Sequence, residues 1–574
     1  MKNSEIAAAF DELANLYELD GAVVYRVLAY RNAAKAIREA GASVAEMAAQ
    51  GRAAELPGVG KTIAEKIDAL IGEGAIPSAV KLRARIPTGL VQVTRIPGLG
   101  PKRARLLHQE LGIESLDDLR RAAEQERLRG VPGFGPKAEE NVLAALAAGA
   151  DGEERPRTLL SKALVIGEEM VDGLREHPSA IRVELAGSAR RWAETCKDLD
   201  IVACASDPEA LLEAFAALPV VDEVSRSGTA GAKAITHQGI PVDLRIVPEA
   251  SFGNLLQHFT GSGRHNEALR TAAVKQGVHV SEYGVAVDTT GATHACATEA
   301  EVYELLGMDC IEPELREDRG ELAAARRRSL PDLIELADIR GDLHSHSVAS
   351  DGRATIPEMA EAARERGYGY FAVTDHSATH GFGNHVTPEE LERQIERVAR
   401  ANQQLDGITV LAGTETNVLP DGSVDYEDEL LERLDWVVAS VHTSFRMSEK
   451  EMTARVVAAL ENPHIDVLGH PTGRLIGRRE GYAVDIDKVI AAAARTGSFL
   501  EINANPNRRD LDEVYAREAA RAGVKLVIDS DAHSPETLAN MRYGVATARR
   551  AWLTADDVAN TREWEELKKL RKRG

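Results

Sequence analysis

Along the first 150 residues, apolar positions recur at helical spacing in Ala-rich runs broken by Gly and Pro, so this part of the chain is predicted to be helical. The breaks repeat. Leu56-Pro57-Gly58-Val59-Gly60, Ile96-Pro97-Gly98-Leu99-Gly100 and Val131-Pro132-Gly133-Phe134-Gly135 each open an amphipathic run, an internal repeat with uneven spacing. From about Thr158 the pattern changes to alternation. Segments 181–185, 199–202 and 240–247 read as strands with helical stretches between them, an α/β region with an antiparallel or mixed sheet. Residues 316–332 are charged and end near Pro331, which predicts a linker reaching to 338. Beyond it, short apolar runs at 371–374, 408–412, 436–441, 466–469, 499–502 and 524–528 alternate with helical stretches, the pattern of a parallel α/β barrel or open sheet.

Composition bounds the function. The 574 residues allow several domains, and 44% hydrophobic with 28% charged residues describes a globular protein. No run of about 18 apolar residues and no basic-then-apolar leader are present, so neither a membrane span nor secretion is expected. Four cysteines with no CxxC pair fit a reducing, cytoplasmic setting. A net charge of −22 argues at first against a nucleic-acid partner. Its distribution removes the objection: residues 1–150 are net +1, 151–330 net −11 and 331–574 net −12. Carboxylates that hold cations can also serve a phosphate ligand.

The glycine repeats carry the first chemistry. Two glycines two apart at a helix start turn backbone amides outward, where they and the helix dipole bind phosphate oxygens. Lys61, Lys102 and Lys137 follow within two residues of the second glycine. The repeats resemble the helix-hairpin-helix motif, which implies that Gly58, Gly60, Gly98, Gly100, Gly133 and Gly135 grip a DNA backbone without reading its sequence. A plain αα-hairpin needing glycine for geometry alone is the alternative.

A second constellation is Gly187-Ser188-Ala189-Arg190-Arg191, then Glu194, then Asp198-Leu199-Asp200. Residues i and i+2 of a strand face one way, so Asp198 and Asp200 can share two divalent cations, with Asp243 from another strand as a third carboxylate. Ser188 and Arg191 on a Gly turn suit a polyphosphate. This stretch, with Pro241–Arg245, Phe259-Thr-Gly-Ser262, Asn266, Arg270 and Glu282-Tyr283, resembles the nucleotidyltransferase core of X-family DNA polymerases, and the likeness covers residues 1–315. The resemblance implies catalytic, metal-binding Asp198, Asp200 and Asp243 with Mg²⁺ or Mn²⁺. It implies that Gly187, Ser188 and Arg191 hold the triphosphate, that Phe259 and Gly261 face the sugar, and that Asn266 touches the base. Arg270 and Tyr283 fall on the template side. Three positions depart from the family: His258 stands for a Tyr, Lys197 for a Gly and Gly263 for a carboxylate. Lys66 matches the family's Schiff-base lysine of deoxyribose-phosphate lyase chemistry, which must be deprotonated to attack. A DNA-contacting lysine is the alternative there.

The last segment holds more than half of the chain's 16 histidines, most in clusters at strand ends. His344, His346, Asp351, His376, Glu415, His442, His470, Asp531 and His533 form a mixed imidazole–carboxylate set that suits zinc, manganese or iron at one barrel mouth. His380, His385 and His464 read as scattered. The nine match ligand positions of the polymerase-and-histidinol-phosphatase (PHP) domain, a distorted α/β barrel. That resemblance implies three divalent metals, Zn²⁺ and/or Mn²⁺, and phosphodiester hydrolysis.

The expected architecture is multidomain. It has a helical domain at 1–85 with the first hairpin, a fingers-like helical domain at 86–150 with two more, a nucleotidyltransferase palm at 151–250 and a nucleotide-selection subdomain at 251–315. A linker at 316–338 and the PHP barrel at 339–574 complete it. The expected function is gap-filling DNA repair synthesis with 3′-5′ exonuclease and abasic-site endonuclease activity in the barrel. The expected partners are gapped or nicked DNA and dNTPs, for a monomer working at the nucleoid. A small-molecule phosphatase of the histidinol phosphatase kind and a non-catalytic repair scaffold are the rivals. All ligands of one centre precede the charged stretch and all of the other follow it, so chemically independent sites are expected.

Overall fold

The computed structural model describes residues 1–94, 96, 98–148, 157–226, 230–381 and 383–572. It forms two compact units. One comprises Met1–Thr158, Ala163–Leu185 and Lys197–Glu249, and the other Leu159–Lys162, Ala186–Cys196 and Ala250–Gly574.

In the first unit the three glycine repeats adopt one geometry. Gly58, Gly98 and Gly133 have φ of 75°, 82° and 84°, which glycine adopts without steric cost. The next residue's N–H closes the turn: Val59 onto the Leu56 carbonyl at 3.0 Å, Leu99 onto Ile96 at 2.9 Å, Phe134 onto Val131 at 3.0 Å. Helices Lys61–Glu73, Pro101–Leu111 and Pro136–Ala148 start directly after the second glycine. Val59, Leu99 and Phe134 are buried and anchor each turn, while both glycines of each pair stay exposed. The division expected at 85/86 does not divide the core: buried residues from Ile6 to Leu146 form one cluster. Short helices with a single apolar stripe must share a core to bury it.

This unit also carries a mixed five-stranded sheet, in the order Ala180–Leu185, Leu199–Ala205, Pro241–Ile246, Gly231–Thr236, Val221–Arg226. Only the pair Leu199–Ala205 and Pro241–Ile246 is parallel, and its register sets Asp200 beside Asp243.

In the second unit, helices Phe252–Thr260 and Gly263–Val274 precede a small antiparallel sheet, Val278–Ser281, Gly284–Val287 and Thr293–His294. The stretch expected as a linker at 316–338 is folded instead. It contains helix Glu321–Arg326, and Ala325 and Leu333 join the core of Leu269, Tyr303 and Ile311. Two of its charges are buried, and both are paired: Arg316 with Glu299, and Glu321 with His265 at 2.7 Å. A charge run reads as solvated until its partners, distant in sequence, are known.

The remainder is a seven-stranded, all-parallel sheet in chain order: Gly341–Asp342, Tyr370–Val373, Thr409–Asn417, Trp436–Ser440, Val467–Leu468, Phe499–Asn503 and Leu526–Asp529. It is a nearly closed barrel. A parallel bridge joins Ser345 to Ala532, and Asp529 accepts the Leu343 N–H at 2.9 Å across the seam. Leu343, Tyr370, Trp436, Val467, Phe499 and Val527 share one buried cluster, with Trp436 and Phe499 stacked 5.6 Å apart. Burial on both sheet faces explains why these strands read as continuous apolar runs.

Candidate functional site

All nine barrel residues converge at the carboxyl ends of the strands. Three groups have ligand atoms within 4.8 Å of one another: His346, Asp351, His376 and His533; His344, His346 and Asp531; His376, Glu415 and His442. His346 and His376 are each shared between two groups, offering one ring nitrogen to each. His470 joins through Nε2, 3.0 Å from Glu415 Oε1. Non-glycine residues with positive φ are strained, and two of the nine are among them: His470 at 28° and Asp531 at 52°.

The donor set fits metals. His344 Nε2 and both ring nitrogens of His346 are buried with no hydrogen-bond partner among the described residues. Carboxylate oxygens stand near them, Asp531 Oδ1 at 3.2 Å from His346 Nε2 and Glu415 Oε2 at 3.4 Å from His344 Nε2. Buried polar atoms left unbonded are costly, and a shared cation satisfies them together. Protonation divides the histidines: although burial opposes it, neighbouring carboxylates raise His344, His376 and His533, the last to about 9. Burial, with His533 and His376 adjacent, pushes His346 down to about 3. Burial takes His442 down to about 4 although Glu415 opposes it. Both are neutral, the ligating form. Burial disfavours the carboxylates of Glu415 and Asp531, but the histidines around them hold both well below the usual carboxylate range.

Residues beyond the nine hold several of them in place. Glu501 accepts from His344 Nδ1 at 2.6 Å, which leaves Nε2 facing the cluster, and its other oxygen accepts the His470 N–H. Asp375 accepts from the Ser347 N–H at 2.7 Å and from the Ser350 hydroxyl at 2.6 Å, fixing the turn between His346 and Asp351. His380, expected as scattered, is buried against the centre and stacks on His376 with centroids 4.6 Å apart. His385 is exposed, and His464 is in none of the three ligand groups.

In the first unit, Asp198, Asp200 and Asp243 line one cavity of about 310 Å³ with Lys233 and Glu223. Asp243 ion-pairs with Arg245 Nε at 2.9 Å and lies 3.6 Å from Lys233 Nζ. An all-carboxylate set in an open cavity suits hard cations such as Mg²⁺ or Mn²⁺. The hairpin lysines Lys61, Lys102 and Lys137 are exposed. Lys66 is half-buried on the helix after the first hairpin.

The second unit holds the other expected contacts. Gly187 (φ 64°) starts the turn Gly187–Arg190 that carries Ser188. The Arg191 guanidinium donates to Glu317 at 2.9 Å and to the Thr260 carbonyl at 2.9 Å. Asn266 spends both amide hydrogens on the carbonyls of His258 (2.7 Å) and Gly261 (3.1 Å). It therefore shapes the Phe259–Gly261 turn. A Cβ at Gly261 would lie 2.4 Å from Asn266 Oδ1, so this close approach requires glycine. Arg270 and Tyr283 are exposed. The turn continues onto the barrel. Arg550 donates to the Arg191 carbonyl at 2.7 Å and Arg509 to the Trp192 carbonyl at 2.9 Å. Arg474 pairs with Glu194, and Trp192 packs edge-on against Tyr543 at 5.9 Å.

Comparison with known proteins covers the chain in sections and as a whole. Residues 1–76 match a helix-hairpin-helix domain and 91–148 a SAM-like helix-hairpin-helix tandem. Residues 255–317 match the DNA polymerase beta thumb and 342–505 the PHP domain. The chain is 39% identical over 575 residues to a DNA polymerase/3′-5′ exonuclease, PolX, of Bacillus subtilis (strain 168), with 100% of each chain covered. A probable phosphatase of Thermoanaerobacter sp. (strain X514) is 31% identical over 239 residues, covering 38% of this chain and 89% of that protein. One from Acetivibrio thermocellus is 34% identical over 209 residues, covering 33% and 78%.

Proposed function

Because the chain belongs to the X-family DNA polymerases that carry a C-terminal PHP domain, we propose that it fills short gaps in DNA and trims 3′ ends during repair. It is a DNA-directed DNA polymerase and 3′-5′ exonuclease that binds DNA and uses divalent metals. The observation carrying the proposal is the coexistence of two ligand sets: eight barrel residues closing into three metal-sized groups with His470 beside Glu415, and three carboxylates lining another cavity.

Asp198, Asp200 and Asp243 hold Mg²⁺ or Mn²⁺ in the polymerase centre, and the barrel groups hold three Zn²⁺ or Mn²⁺. Bound there, such cations lower the pKa of an attacking hydroxyl or water and stabilise the leaving oxygen of phosphoryl transfer. The side chains supply the rest. Ser188 and Arg191 take the triphosphate, and Glu317, which now holds the Arg191 guanidinium, gives it up to the phosphates. Asn266 keeps the Phe259–Gly261 turn in shape to receive the sugar. Glu501 orients His344 in the barrel, where the same hydrolysis extends to cutting at abasic sites. The exposed hairpin glycines and Lys61, Lys102 and Lys137 hold the backbone of gapped or nicked DNA. Lys66 serves as the lyase amine. We assign it to the nucleoid of the cytoplasm as a monomer, a reading that DNA and dNTP substrates support; among the described residues no helix is long and apolar enough to cross a membrane.

The phosphatase reading rests on the barrel alone. It leaves the hairpins and the second carboxylate set without a task. The test is a labelled one-nucleotide gap incubated with the full chain in Mg²⁺ or Mn²⁺. Extension by one nucleotide with dNTPs, and shortening without them, is the expected result. Hydrolysis of a small phosphomonoester with the labelled strand left intact would favour the phosphatase.

A further inference from the structure

Beside the barrel's metal-ligand cluster runs a groove that none of the assignments above uses. Its volume is about 900 Å³, and one wall is helix Pro388–Asn402. Arg393, Arg397 and Arg400 all line it. Their spacing of four and then three residues places them on one helix face. They span about 10 Å along the axis, the rise of roughly three phosphates on one DNA strand.

The groove abuts the ligand cluster. Ser347, next in sequence to His346, lies on its wall, as do Gly383 and Val386. A Cβ at Gly383 would touch the Asp351 side chain at 3.6 Å, and the Val386 N–H donates to the His376 carbonyl at 2.9 Å. Asn384 and His385 line it as well, both exposed.

The charge pattern selects the occupant. This segment of the chain is net −12, so three adjacent arginines stand against its overall field. Glu390, the carboxylate in the lining, is engaged by the Thr387 N–H at the helix cap, at 2.9 Å. Glu389, one turn before Arg393, is within electrostatic reach of it. Among the described residues none of the three arginines makes an ion pair. Exposed Val348 and the Ile356 edge give the opposite wall apolar surface against which a base can lie.

We propose that this groove is the track for the single-stranded 3′ end, with Arg393, Arg397 and Arg400 on successive backbone phosphates upstream of the bond being cut. The proposal rests on the exonuclease reading and adds to it the binding surface that makes the barrel prefer a strand over a mononucleotide. Specificity for a polymer arises from contacts to phosphates that do not react.

The test uses the full chain, its Arg393→Gln/Arg397→Gln/Arg400→Gln variant and the matching triple Lys variant, with melting temperature as the folding control. The first readout is kcat/KM for 3′ trimming of oligonucleotides of two to twelve nucleotides. The wild type should improve with length, the Gln variant should lose that dependence, and the Lys variant should keep most of it. The second readout is anisotropy of a labelled single-stranded 12-mer in EDTA at several salt concentrations. The Gln variant should lose about two from the slope of log K against log salt, at about 0.7 per phosphate contact. Unchanged length dependence and salt slope in a folded Gln variant overturn the groove while leaving the exonuclease in place. A wild type that trims no oligonucleotide of any length overturns the exonuclease reading and the groove with it.

Discussion

The Arg550 guanidinium, on the barrel's helix Met541–Arg550, donates to the main-chain carbonyl of Arg191 at 2.7 Å. The turn that carries the expected triphosphate contacts is thus held from the nuclease barrel. Arg550 also bonds Glu317 at 3.1 Å and Glu513 at 2.9 Å, and Glu317 is the carboxylate that holds the Arg191 side chain. The two ligand sets are separate in composition, yet the nucleotide turn is not mechanically independent of the barrel.

Arg550→Met should therefore raise KM for dNTP several-fold while 3′ trimming per folded molecule changes little. It should also cost about 1–3 kcal/mol of stability, because Glu513 and Glu317 each lose one of two arginine partners while Arg319 and Arg191 stay in place. Steady-state gap filling at varied dNTP, read beside denaturant melts, checks this. An unaltered KM would show that the contact is only packing.

Glu501 offers a second prediction. Its hydrogen bond fixes His344 so that Nε2 faces the cluster. Glu501→Gln should weaken metal binding or 3′ trimming by about 10–100-fold, the usual effect of losing a carboxylate behind a metal-ligating histidine. Metal content after dialysis, measured beside activity, separates loss of metal from loss of chemistry.

Acid stability follows from Glu299. Burial pushes its carboxyl up, but Arg316 and Arg190 outweigh burial and hold it at about 2. A depressed folded-state value gives stability that is fully present above the unfolded value near 4.5 and is lost as pH falls towards 2. The contribution is on the order of 3 kcal/mol. Between urea melts at pH 5.5 and pH 3, the wild type should lose about 2 kcal/mol more than Glu299→Gln.

For Lys66, borohydride should trap the protein on a 5′-deoxyribose-phosphate end. Lys66→Ala should abolish the trapped species on a denaturing gel. Equal trapping in the variant would assign the chemistry to another amine.

Much of this was legible from residue order. Nearly every cluster of the nine barrel residues falls at the end of an apolar run, and a histidine or carboxylate there has few structural uses. The three hairpins announce themselves because a left-handed φ at Gly58, Gly98 and Gly133 demands glycine. What escaped depends on partners far apart in sequence. Glu501 looks like one acid in a strand until His344, 157 residues away, is placed against it. The stretch from Arg316 to Glu321 reads as a solvated linker because Glu299 and His265, which pair with its two buried charges, lie outside the run. His380 appears isolated until stacking on His376 places it at the centre. The seating of Trp192 on the barrel leaves no periodic trace at all.

The central claim is that one chain carries two catalytic centres with separate ligand sets. The most direct measurement follows a labelled primer at a one-nucleotide gap with His344→Ala and Asp200→Ala, each shown to be folded by circular dichroism. His344→Ala should extend the primer but no longer shorten it, and Asp200→Ala should shorten it but no longer extend it. Loss of both activities in either variant would contradict the account and point to a single composite site.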